Sequence, residues 1–127
     1  MTVAYVFATS GNTVHYKLGQ MILPQLEADA HGARVAGMFF FDDNCFALRV
    51  GDPLGERLAK VAAERGMLLM LCDQCASARG LARRVGADDA VPARFEATGT
   101  VAGVQVGCFP DLYAALAGAG VDQVITL

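Results

Sequence analysis

Cysteine is the residue type in this chain that is most able to do chemistry, and the 127 residues include four of them. Cys72 ends the apolar run Leu68–Leu71 and is followed by small residues that are typical of a helix start. A thiol at the junction of a parallel strand and a helix lies beside the free N–H groups of the first helical turn, which favour the thiolate. The sequence therefore predicts that Cys72 is the catalytic residue, a nucleophilic or sulfur-carrying thiol, with Arg79 as an additional positive charge.

Cys75 completes a Cys-x-x-Cys motif with Cys72 at this helix start. Such a motif can be a redox pair, half of a zinc site, or a reactive thiol beside a small packing residue. A zinc site needs two further ligands, which Cys45 and Cys108 would have to supply. Thioredoxin-like chemistry is less favoured, because Asp73 would oppose thiolate formation. A metal or redox sensor built on the cysteine cluster is therefore one alternative function.

All four cysteines follow predicted strands rather than lying inside them. In a doubly wound sheet, the loops that leave the carboxyl ends of the strands open on one edge, which is where ligands bind. Cys75, Cys45, Cys108 and Arg79 are therefore auxiliary site candidates. Cys45 and Cys108 are each more typical of passive packing, although either one is able to resolve a disulfide or to accept sulfur from Cys72.

Five apolar segments predict the strands that position these thiols. They are Val3–Ala8, Arg34–Phe41, Met67–Leu71, Val104–Val106 and Gln123–Leu127. Single helical segments separate most of them, and strands that alternate with single helices form parallel sheets with right-handed crossovers. The predicted fold is α/β: residues 1–127 form one domain with a doubly wound, mainly parallel five-stranded sheet and helices on both faces.

Four helices are predicted from apolar periodicity and end signals. The first spans Val14–Ala30 with a bend at Pro24, and the second lies between the N-cap Asp52 and the stop Gly66. The third spans Cys75–Val85 with its stop at Gly86, and the fourth runs through Tyr113 and Leu116 to about Gly118. Residues 42–51 are predicted as a loop. Residues 87–102 show no clear period, which leaves a mobile flap, an interface loop and a missed element open.

Composition limits the classes of function. The net charge is −3, with 10 Lys and Arg against 13 Asp and Glu and no basic cluster, so no nucleic-acid partner is expected. No apolar run approaches the roughly 18 residues of a membrane span, and the N-terminus lacks a basic signal-peptide region, so we expect a cytoplasmic protein. The apolar share of 54% is high for a soluble chain, and part of that excess is expected to cover a subunit interface.

The turn Thr9–Thr13 resembles the phosphate loop of flavodoxins, where hydroxyls and turn amides at a helix N-terminus hold the FMN phosphate. A flavodoxin-like protein that binds FMN or a nucleotide is therefore a second alternative. Flavodoxins also place aromatic residues against the flavin ring, and this chain has no Trp. An ordinary strand-to-helix turn with a Ser, Thr or Asn cap explains the same residues.

The stretch from Cys72 to Gly80 resembles the DsrE/DsrF-like family, which includes the TusBCD sulfur-relay proteins. Members carry a cysteine at the end of the third strand and, after a run of small residues, an Arg-Gly pair, which here is Arg79 and Gly80. The aromatic strand Met38–Phe41 with its acidic loop and the terminal segment Asp122–Leu127 are also similar to the family.

The resemblance implies a DsrE-like α/β domain that acts as a cofactor-free sulfur carrier, in the manner of a sulfurtransferase. Cys72 would take sulfane sulfur from a donor protein as a persulfide and pass it to an acceptor protein. The resemblance also implies oligomers, commonly trimers or hexamers. The sequence leaves open which proteins are donor and acceptor, and whether this subunit is active or a structural partner.

Overall fold

Strands and helices alternate along the computed structural model, which describes residues 1–127. The elements, in chain order, are β1 (Thr2–Phe7), α1 (a π-helical part, Val14–Ile22, continued by an α-helical part, Leu23–Glu27), β2 (Arg34–Phe40), a 3₁₀ helix (Asp42–Leu48), α2 (Pro53–Arg65), β3 (Leu68–Cys72), α3 (Asp73–Ala78), β4 (Ala82–Val85), β5 (Arg94–Ala97), β6 (Val104–Gly107), α4 (Phe109–Gly118) and β7 (Gln123–Thr126). None of the helices has both the length and the apolar character that crossing a membrane requires.

The main sheet has five strands in the order β6-β3-β2-β1-β7, and all neighbouring strands are parallel. The central strands are buried along almost their whole length, because their residues are apolar on both faces, as in sheets that are covered on both sides. The predicted α/β fold with a parallel five-stranded sheet is confirmed.

Helices cover both faces of this sheet. On one face, α1, the 3₁₀ helix and α2 enclose the larger core, in which the stacked rings of Phe7 and Phe40 lie 5.1 Å apart. On the other face, α4 packs through Leu112 against a smaller apolar cluster that includes Phe39, Met70 and Cys72. Successive residues of a strand point to opposite faces, so Leu71 belongs to the first core and Cys72 to the second.

The start of α2 confirms the predicted capping residues. The Asp52 carboxylate accepts the backbone N–H groups of Leu54 and Gly55 at 3.0 and 3.1 Å. Gly66 ends the helix with a φ of 65°, a left-handed conformation that glycine adopts without steric cost. Because β3 begins two residues later, this stop sets the distance between α2 and the strand that carries Cys72.

The helix type of α1 changes next to Pro24, where the sequence predicts a bend. Proline has no N–H and disrupts the i→i−4 ladder, and the helix changes from π-helical to α-helical at Leu23, whose N–H donates to Leu18 O. The α-helical part ends at Glu27, earlier than the predicted Ala30.

The helix predicted over Cys75–Val85 is wrong at its carboxyl end, because α3 stops at Ala78. Gly80 has a φ of 72°, and the N–H of Leu81 donates to Ala76 O at 2.8 Å. This pattern is the Schellman motif that ends helices at a left-handed glycine. The chain therefore leaves the helix at Gly80, before the predicted stop at Gly86.

The residues after α3 form an antiparallel hairpin instead of continuing the helix. β4 pairs with β5, and Arg83 forms an ion pair with Glu96 across the two strands. Part of the segment 87–102 is therefore the missed element, β5. The loop predicted over residues 42–51 also needs correction, because residues 42–48 form a 3₁₀ helix that buries Cys45 and Leu48.

Candidate functional site

The carboxyl ends of the central strands lie side by side at one edge of the sheet. Phe40 is in register with Phe7 and Leu71, and Cys72 is in register with Gly107. The chain segments that leave β2 and β3 therefore meet at this edge, next to the segment that leaves β6. We call the group of thiol and charged side chains at this edge the thiol edge, which comprises Asp42, Asp43, Cys72, Cys75 and Arg79.

Cys72 lies where the sequence places it, at the end of β3 and at the N-cap position of α3. Its Sγ accepts the backbone N–H of Cys75 at 3.5 Å. The side chain packs with Phe39, Met70 and Leu112 on the α4 face of the sheet, and the residue is only 9% exposed. The thiol is therefore at the rim of the sheet but largely removed from water.

The expectation that the helix start favours the Cys72 thiolate is wrong. Burial raises the pKa of Cys72 to about 11, and the opposing effect of the backbone N–H groups of Cys75 and Gln74 is smaller. Desolvation penalises the charged form of a thiol, and a helix of six residues presents few amides to offset it. At neutral pH the resting group is the thiol.

This protonation state makes a testable prediction about alkylation. The rate at which iodoacetamide modifies Cys72 should keep rising towards pH 11, whereas a thiol with the ordinary pKa of 9.0 reaches its plateau earlier. At neutral pH the thiolate fraction of Cys72 is about 100-fold lower than that of a thiol with the ordinary pKa. A more basic thiolate is also a better nucleophile, which compensates for about 10-fold of the difference in rate. Peptide mapping should therefore show labelling about 10-fold slower than for the same cysteine in the urea-unfolded chain. A rate that stops rising at the pH expected for a thiol of ordinary pKa, or at a lower pH, would contradict the burial effect.

Arg79 does not contact Cys72. Its Nε donates to Asp43 Oδ1 at 2.9 Å, and its Nη1 donates to the backbone oxygen of Cys75 at 3.0 Å. The guanidinium therefore ties the 3₁₀ helix to α3. The role of a partner for the Cys72 thiolate, which the sequence suggests for Arg79, is not supported by any hydrogen bond or ion pair.

Cys75 is the more accessible thiol of the Cys-x-x-Cys motif, since it is half-buried. Its Sγ donates to Asp42 Oδ1 at 3.9 Å, which joins α3 to the start of the 3₁₀ helix. Asp42 has a φ of 52°, a conformation that is uncommon outside glycine and marks a constrained backbone. The sequence signals an acidic loop after β2, but the contact between Asp42 and Cys75 depends on the tertiary structure.

The other two cysteines form no hydrogen bond with this pair, although Cys45 is near enough for both thiols to contribute to its raised pKa. Cys45 is fully buried in the larger core, its Sγ donates to Phe40 O at 3.4 Å, and burial raises its pKa to about 12. Cys108 precedes α4, and its N–H donates to Asp111 Oδ2 at 2.8 Å, so it belongs to the cap of that helix. No group of three or more His, Cys, Asp or Glu side chains is placed to hold a metal ion, which a metal sensor would need.

The turn Thr9–Thr13 lies at the same edge, between β1 and α1. The buried amide of Asn44 donates to the backbone oxygens of Phe7 and Thr9, both at 3.2 Å, and so anchors the start of the turn. The hydroxyl of Thr13 is buried and has no hydrogen-bond partner. Thr9 and Ser10 are exposed in this turn, so the binding of FMN or a nucleotide here stays a prediction.

An exposed aromatic surface borders the thiol edge, and the sequence analysis missed it. The ring of Phe41 lies 5.5 Å from that of Phe109, which lies 6.1 Å from that of Tyr113. Phe109 and Tyr113 are 48% and 62% exposed, and Phe41 packs against the cluster that contains Cys72. We call these three residues the aromatic strip. The available signal was the position of Phe41 at the end of one predicted strand and of Phe109 shortly after another.

Comparison with known proteins gives a likeness to solved structures. No protein-family model matches the sequence, and no curated protein matches it. Among solved structures, the crystal structure of the ychN protein from E. coli is similar, with a TM-score of 0.60 and 17% sequence identity over 99% of this chain and 97% of that chain. This likeness confirms the α/β fold along the whole chain.

Proposed function

We propose that this protein is a sulfur carrier that holds sulfane sulfur as a persulfide on Cys72 and delivers it to a partner protein. The proposal takes its chemistry from the resemblance of Cys72–Gly80 to the DsrE/DsrF-like family. The fold shared with the ychN protein agrees with that resemblance.

The observation that carries the proposal is the setting of Cys72 at the rim of the sheet. Its Sγ is the acceptor of an amide N–H and is surrounded by apolar side chains on the α4 face. A persulfide in this position would be shielded from water and from unrelated thiols. Its formation needs no cofactor, because the Cys72 sulfur itself bonds to the transferred sulfur atom.

The high pKa of Cys72 suits retention of sulfur. In transfer, an acceptor thiolate attacks the outer sulfur, the bond between that sulfur and Cys72 Sγ breaks, and Cys72 leaves as a thiolate. A thiol of high pKa is a slow leaving group, so the outer sulfur would pass only slowly to thiols from solution. The N–H groups of Cys75 and Gln74 would stabilise the thiolate as it forms.

The aromatic strip is the surface that we propose for docking of donor and acceptor proteins. Exposed aromatic residues are enriched at protein interfaces, and this strip lies beside Cys72. A homo-oligomer, a trimer or a hexamer, is part of the same proposal. Its support is the edge strand β7, whose four residues are all exposed, including Val124 and Ile125.

Sulfur loading tests the proposed function directly. When the reduced protein is incubated with a low-molecular-weight persulfide, we expect its intact mass to increase by one sulfur atom. Peptide mapping after alkylation should locate that atom on the peptide that contains Cys72. Absence of any sulfur uptake, or its location on Cys45 or Cys108, would overturn the proposal.

A further inference from the structure

We propose that Cys75 is a resolving thiol, which attacks the Cys72 persulfide, releases sulfide and leaves a Cys72–Cys75 disulfide. This inference rests on the proposed loading of Cys72 and adds a second activity to it, the reductive release of carried sulfur. The protein would then need a dithiol reductant before each new loading.

The first support is the contact between the two cysteines. The N–H of Cys75 donates to Cys72 Sγ, and the Cys75 side chain packs against the apolar cluster that holds Cys72. The Cys75 side chain is near enough to contribute to the raised pKa of Cys72. Two cysteines separated by two residues at a helix start are also the arrangement of many disulfide oxidoreductases.

The second support is the proton acceptor beside Cys75. A thiol must lose its proton to become a nucleophile, and the Cys75 Sγ already donates to Asp42 Oδ1. Asp42 takes part in no ion pair, whereas its neighbour Asp43 is bound to Arg79. The free carboxylate is therefore the group that would receive the proton during the attack.

The other two cysteines do not fit the resolving role. Cys45 lies in the larger core, in a different cluster from Cys72, and its thiol donates to a backbone oxygen. Cys108 belongs to the cap of α4, and no hydrogen bond joins it to Cys72. The sequence alone allowed either of them to resolve a disulfide, and the packing favours Cys75.

The proposed step balances in atoms and electrons. The Cys75 thiolate attacks Cys72 Sγ, a new S–S bond forms between the two residues, and the bond between Cys72 Sγ and the outer sulfur breaks. The outer sulfur leaves with the electron pair as hydrosulfide, and the proton of Cys75 passes to Asp42 and then to solvent. The two cysteines are oxidised to a disulfide and the carried sulfur is reduced to sulfide, so no other oxidant is needed.

The test follows the loaded protein after the persulfide donor has been removed. The wild-type chain should release one equivalent of sulfide, lose the added sulfur and form a peptide cross-link between positions 72 and 75. Cys75→Ser should take up one sulfur and keep it, with sulfide release at least about 10-fold slower. Cys108→Ser is the matched control and should release sulfide like the wild type.

The outcomes separate this inference from the proposed function. Release at the wild-type rate from Cys75→Ser, or a wild-type protein that keeps its persulfide and forms no cross-link, overturns the resolving role of Cys75. Absence of sulfur uptake by both proteins instead overturns the proposed function.

A second variant tests the proton acceptor. Asp42→Asn keeps a residue that tolerates positive φ and should slow sulfide release about 10-fold or more at neutral pH, with a smaller deficit as the pH rises and solvent hydroxide takes the proton. A deficit that is independent of pH would indicate a structural effect and would remove Asp42 from the proposed step.

Discussion

Replacement of Cys72 by serine should abolish sulfur uptake while leaving the fold intact. The serine oxygen cannot form the persulfide, and Cys75 in the resolving role has no persulfide to attack. The substitution is small, and the serine hydroxyl can still accept the N–H that Cys75 donates at this position. Intact mass spectrometry after incubation with a low-molecular-weight persulfide should therefore show the unmodified mass.

The Cys108→Ser variant is the control for this measurement, because it removes one of the half-buried thiols from the same edge of the sheet. It should take up one sulfur atom, as the wild-type chain does. Thermal unfolding of both variants shows whether the fold survives. Undiminished sulfur uptake by a folded Cys72→Ser protein would place the carrier residue elsewhere.

Replacement of Phe40 by alanine should cost about 3–5 kcal/mol of unfolding free energy. Phe40 is fully buried in β2, and its ring stacks on that of Phe7 with centroids 5.1 Å apart. Truncation would lose the transfer free energy of the ring and leave a cavity between the sheet and its helices. Small domains have a total stability of about 5–15 kcal/mol, so the variant would be close to unfolding.

Urea denaturation followed by far-UV circular dichroism measures this loss. Phe109→Ala is the matched control, since Phe109 is a half-exposed ring of the aromatic strip and its truncation should cost about 1 kcal/mol or less. Similar losses in the two variants would contradict the assignment of Phe40 to the main core. The control variant also probes docking, because removal of the Phe109 ring should slow sulfur transfer to a partner protein without unfolding the carrier.

Local residue patterns were sufficient for most of the secondary structure. The apolar runs around Val6, Phe39 and Met70 lie in buried strands, and the Asp52 cap and the Gly66 stop bound α2 as predicted. These features depend on residues that are close together in the chain. The end of α3 was missed because Gly80 and Gly86 are equivalent as local stop signals.

The hairpin β4–β5 was missed for a different reason. Each strand has only four residues and lacks a long apolar run, so neither one gives a clear period by itself. The two strands pair only when segments separated by a loop approach each other. The ion pair between Arg83 and Glu96 is part of that contact.

The sequence by itself determined that Cys72 and Cys75 follow a central parallel strand, because strand and helix signals fix where the chain turns. Only the tertiary structure decided the chemical state and the contacts of these thiols. Leu112 of α4 and Phe39 of β2 remove Cys72 from water, and Asp43 engages Arg79. Phe39, Asp43 and Leu112 are far from Cys72 in the chain. Desolvation and ion pairing depend on distance in space, so only the folded structure brings these effects to the thiols.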